Sequence, residues 1–117
     1  MGSDPAGRRA ISRDDVCVYV DYLRVGAAER GESFDVQSVN PDMMLDAYRT
    51  ITSHLRRHGE KELAQRYAGA FREVVRTCVA YVTSGEAGAL ALFERAQLEF
   101  SAASTQAVAL YSGEQES

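Results

Sequence analysis

The 117-residue chain has no tryptophan, two prolines and two cysteines. It also has no long apolar run. Its longest charge-free stretches, 77–85 and 100–113, are short or rich in Ser, Thr and Gly, and neither supplies the roughly 18 to 20 apolar residues of a membrane span. The opening residues, Met1 through Arg9, are small or charged with no apolar block behind them, so no secretory signal is expected. Cys17 and Cys78 stand alone, without a CxxC pair or metal-type spacing. They read as buried thiols in a reducing compartment, and the cytoplasm is the expected location. There is no Glu-x-x-His pair for a ferritin-like di-iron site, no G-x-S-x-G nucleophile elbow and no Gly-rich phosphate loop.

What is present is the composition of a folded domain: 45% hydrophobic and 26% charged residues, too apolar for a disordered chain. The length suits one domain with a core of its own. Residues 1–11 read as a flexible arm. Ser12 then offers an N-cap, with Asp14 and Asp15 in the first turn. The next segment is ambiguous, because Val16, Val18 and Val20 alternate as in a strand. Val16, Tyr19, Val20, Leu23 and Ala27 nevertheless follow one helical face. With the cap before it, Gly31 after it and no partner strand elsewhere, the helical reading prevails.

Residues 31–40 read as a loop, with Phe34, Val36 and Val39 turned back onto the core. Asn40-Pro41-Asp42 is the plainest helix start: an Asn cap, proline at the first position and an acid in the first turn. Met44, Tyr48, Ile51 and Leu55 form the stripe behind it. Leu63, Tyr67, Phe71, Val74, Cys78 and either Tyr81 or Val82 form a third stripe. Ala89, Phe93, Ala96, Phe100, Ala103, Ala107 and Leu110 form a fourth, with the period near 3.5 of helices crossing at a shallow angle. The expectation is an all-α, single-domain antiparallel four-helix bundle over 12–111. Its helices lie near 13–30, 41–58, 60–83 and 86–111, and a polar tail, 112–117, follows.

Charge is uneven along this frame. Residues 1–46 carry a balance of −4, residues 49–76 one of +4, and residues 77–117 one of −4. The basic middle hairpin, with Arg56, Arg57, Arg66, Arg72 and Arg76, is a candidate docking patch for an acidic protein surface. The same arginines would also serve as ordinary solvated partners for acids on adjacent helices. A sequence pI near 5.1 argues against nucleic acid, whose phosphates respond to summed positive potential.

The chemistry-bearing residues are few. His54 and His58 sit four apart on a helix, but a metal site needs three or four ligands, so no metal or other cofactor is expected. Arg49 and His54 make an R-x4-H spacing, which resembles the short motif of HEPN-type ribonucleases, small four-helix bundles that dimerise around a composite active site. That resemblance implies that Arg49 and His54 would polarise a scissile phosphate, with His54 as acid or base. Thr50 stands where that family often has Asn, Asp or His. A third reading is a ligand-binding bundle in which some of the six tyrosines line a cavity.

The fourth helix points elsewhere. Leu90, Leu92 and Leu98 lie off its main stripe, and Ser101 to Ala109 holds nothing larger than Gln and Val, so a second helix could approach closely. The leading expectation is a non-enzymatic interaction or regulatory module. It would associate with itself, most simply as a homodimer, through Leu92, Phe93, Phe100 and Leu110.

Overall fold

The structure, a computed structural model, describes residues 11–32 and 40–116, with side chains as far as Tyr111. It is all-α: α1 (Arg13–Glu29), α2 (Pro41–Arg57), α3 (Lys61–Ser84) and α4 (Ala87–Glu116). Val16 to Val20 lie inside α1. The helical face prevails over the β-branched alternation because Val16, Tyr19, Val20 and Ala27 are all buried. Residues 1–10 and 33–39 lie outside the described residues, and with them most of the expected arm and the inward turn of Phe34, Val36 and Val39.

Local chemistry sets the ends. Ser12 and Asp15 form a reciprocal capping box, each side chain accepting the other's backbone N–H at 3.2 Å. The Asn40 side chain accepts the Met43 N–H at 2.9 Å, with Pro41 at the first helical position. Gly59 and Gly85 adopt φ of 81° and 69°, a left-handed conformation costly for any residue with a Cβ. They allow α2 and α3 each to turn back within two or three residues. Two boundaries differ from expectation. Ile11 packs against the core and so belongs to the domain rather than to an arm. α4 runs on to Glu116 through the expected tail, since one Gly among helix-tolerant Ser, Glu and Gln costs about 1 kcal/mol and does not break a helix.

α3 is the central helix and touches the other three. Its contacts with α4 run in opposite chain directions: Arg66 meets Gln106, Phe71 meets Phe100, and Tyr81 meets Phe93. α2 also runs against α3, with Tyr48 on Phe71 and Leu55 grouped with Ala64 and Tyr67. The helices nevertheless do not form four equal rods. One cluster joins Val16, Tyr19 and Val20 of α1 to Val74, Val75 and Cys78 of α3 and Phe93 of α4. A second joins Ile51 and Leu55 of α2 to Ala64, Tyr67 and Ala107. The α3–α4 hairpin is long: α1 covers the end near its turn, and α2 covers the open end and reaches the first cluster through Leu45. Arg13 ties them together, donating Nε to Asp42 Oδ1 at 2.8 Å and Nη2 to Oδ2 at 3.2 Å.

Candidate functional site

The expected seam on α4 divides into two populations. Phe93 is wholly buried. Its ring lies 5.0 Å from Tyr22, 6.5 Å from Tyr19 and 6.3 Å from Tyr81, so the expectation that it faces another molecule is corrected: it is core. Phe100 is half-buried against Tyr67 and Phe71, and it too serves mainly the chain's own packing. Leu92 and Leu110 are open, at 59% and 37% exposure. Among the described residues the most exposed large apolar one is Leu98, at 74%, with Val108 also exposed. Leu98 lies off the inward stripe with Leu90 and Leu92, as its spacing indicates; the expected seam took Leu92 and omitted Leu98 and Val108. The signal for an outer face is the residue left off that stripe.

Small side chains accompany them. Ala91, Ala102 and Ala109 are exposed, as are Ser101 and Thr105. Between Phe100 and Tyr111, α4 carries no charge, although a solvated helix face ordinarily carries about 25–35% charged residues. Glu94, Arg95 and Glu99 are exposed and form no ion pair among the described residues.

The basic residues are dispersed rather than gathered. Arg66 donates to Gln106 Oε1 at 2.5 Å, half-buried Arg72 donates to the Tyr48 hydroxyl at 3.4 Å, and Arg76 pairs with Glu73 one turn back. Each covers part of its own chain. Arg56 and Arg57 are exposed near the end of α2, where positive charge also meets the negative end of the helix dipole. Arg49, Thr50, Ser53 and Arg57 line an open groove of about 310 Å³. Thr50 and Ser53 were not anticipated there, though the four-residue steps from Arg49 through Ser53 to Arg57 carried the signal.

The R-x4-H pair does not share a surface. Arg49 is exposed, whereas His54 is buried, its ring edge-on to Tyr111 at 4.9 Å and 4.4 Å from His58. Five residues along an α-helix turn through about 140°, which separates the two. No cluster of three or more His, Cys, Asp or Glu that could hold a metal occurs among the described residues.

The tyrosines largely fill space. Tyr48 stacks on Phe71 at 4.6 Å and Tyr22 meets Tyr81 edge-on at 6.4 Å. Burial pushes the Tyr19 phenol up to about 12 and raises that of Tyr67, so both stay neutral donors near pH 7. Tyr111 does border an open groove of about 300 Å³ with Met43, Ala47 and Ile51; Met43 is exposed there while Met44 packs on the core. Burial likewise pushes the Cys78 thiol up to about 11, and both cysteines are free. No helix is long and apolar enough to cross a membrane among the described residues.

No family model matches the chain, and no curated protein and no solved structure matches it either.

Proposed function

We propose that this protein is a non-enzymatic helical interaction module that associates with a second copy of itself through the exposed side of α4. The observation that supports this reading is the 74% exposure of Leu98, on a helix whose outer surface from Phe100 to Tyr111 is free of charge. Large exposed apolar side chains on a charge-poor face favour association over solvation. The exposed arginines of α2, Arg49, Arg56 and Arg57, would orient an acidic partner, since charge of this kind governs partner choice and encounter rate. Two free cysteines are in keeping with a cytoplasmic setting.

The α4 strip from Ala91 to Ala109 is about 27 Å long and about 10 Å wide. That is modest beside the roughly 800 Å² per partner of a standard interface, so association is expected to be weak and to need a high protein concentration. Light scattering at about 100 μM, where a dissociation constant of about 10 μM or tighter leaves mostly dimer, should give close to twice the 12.8 kDa chain mass. Leu98→Glu should give the single-chain mass with an unchanged helical circular dichroism spectrum. A wild-type mass of one chain at that concentration overturns the reading. Ribonuclease activity lost in His54→Ala would favour the alternative reading instead.

A further inference from the structure

The exposed positions Ala91, Arg95, Leu98, Ala102, Thr105 and Ala109 advance along α4 by alternating steps of four and three. That is the spacing of a helix–helix seam. The alanines would let a second axis come within about 8 to 10 Å. This is therefore a second, outward stripe on a helix whose inward stripe (Phe93, Ala96, Ala103 and Ala107) is already buried.

Charge identifies the occupant and its direction. The charged residues of the strip, Glu94, Arg95 and Glu99, all fall within six positions of its N-terminal half and make no ion pair among the described residues. Arg95 precedes Glu99 by four, the less favourable order for pairing within one helix, so both remain available to a partner. A second α4 lying parallel and in register would set Arg95 beside Arg95 and Glu99 beside Glu99. Reversed about a two-fold axis at position 97, it sets each Arg95 against Glu99 of the other copy. The same operation faces Leu92 with Ala102, a large side chain against a small one. Antiparallel helices also place opposite ends of their dipoles together.

We infer that the partner of the outer α4 face is a second α4, antiparallel, with its two-fold axis near residue 97 and reciprocal Arg95–Glu99 pairs on either side. This rests on the self-association proposed above and adds its direction and register. The test uses the full chain with Cys17→Ser. Cys78 is retained because it is fully buried and its thiol is largely protonated at pH 8. Leu92→Cys and Ala102→Cys are prepared as separate variants, both at exposed positions, and oxidised alone and as an equimolar mixture. The expected result is a disulfide dimer at least about tenfold faster in the mixture than in either variant alone. The reason is that position 92 lies about 15 Å along the axis from its own copy in this register.

Rapid crosslinking of each variant with itself would overturn the antiparallel direction while leaving self-association intact. A double-mass species that crosslinks in neither arrangement would overturn the register. A single-chain mass would remove the self-association reading and this inference with it. As an independent check, Arg95→Glu should weaken dimerisation about tenfold, and adding Glu99→Arg should restore it. Failure of the double variant to recover would refute the reciprocal pairing.

Discussion

Replacing Phe93 by alanine is the sharpest probe of how α4 divides between core and surface. The ring is wholly buried and sits among Tyr19, Tyr22 and Tyr81 at centroid distances of 6.5, 5.0 and 6.3 Å. Truncation removes the transfer energy of the ring and leaves a cavity whose walls belong to three different helices. Losses for such sites run to about 3–5 kcal/mol, and the edge-on contacts with Tyr19 and Tyr22 place this one toward the upper end. A chain of this length holds about 6–18 kcal/mol in total, so the variant should remain folded at 25 °C but with a large part of its margin gone.

Urea denaturation followed by circular dichroism would read this as a midpoint lowered by about 1–5 M, for a slope near 1–3 kcal/mol/M. The measurement should be made below the association range, so that dimer dissociation does not enter the energy. Leu98→Ala provides the contrast: at 74% exposure it should shift the midpoint by less than about 0.5 kcal/mol equivalent in the monomer. A Phe93→Ala loss below about 1 kcal/mol would refute the assignment of this ring to the core.

Four further outcomes follow from the local geometry. Ser12→Ala removes the acceptor for the Asp15 N–H and should cost about 1 kcal/mol by denaturant titration, with hydrogen exchange rising first in the initial turn of α1. Hydrogen bonding from Arg13 lowers the Asp42 carboxyl below its ordinary value. Its stabilising contribution is thus present above the unfolded carboxylate range and is lost as pH falls through the depressed folded value. Asp42→Asn should therefore flatten that part of the acid limb in a stability–pH profile, and an unchanged limb would count against the α1–α2 brace.

At the alkaline end, burial holds the Tyr19 phenol up to about 12. The stability it contributes is present below the unfolded tyrosine value and lost as pH rises toward that number. Ultraviolet titration should accordingly find more than one late phenol, Tyr67 among them, with Tyr19→Phe removing the latest. Thiol labelling at pH 8 should modify Cys17 well before Cys78, which burial pushes up to about 11; equal rates would refute the packing around Cys78.

The amino-acid sequence by itself determined where the helices are and how they begin and end, except for the end of α4. Capping at Ser12 and Asn40, proline at 41 and glycines at 59 and 85 act within a few residues, so their chemistry is complete before any long-range contact forms. It also determined the inward stripe, because a 3.6-residue period assigns Tyr67, Phe71, Val74 and Cys78 to one face whatever that face meets.

Tertiary structure decided what periodicity leaves open. A stripe says that Phe93 and Phe100 lie inward, but only the placement of α1 near the turn of the α3–α4 hairpin and α2 toward its open end determines which is fully enclosed. The first is sealed by tyrosines of α1 and α3, whereas the second remains half-covered. Helix geometry alone turns Arg49 and His54 about 140° apart, but that His54 is the enclosed one of the two comes in part from Tyr111 arriving from the far end of α4. The exposure of Leu98 has the same origin: none of the described helices covers the outer side of α4. Local chemistry acts through neighbours in sequence, whereas enclosure requires surfaces contributed by residues remote along the chain.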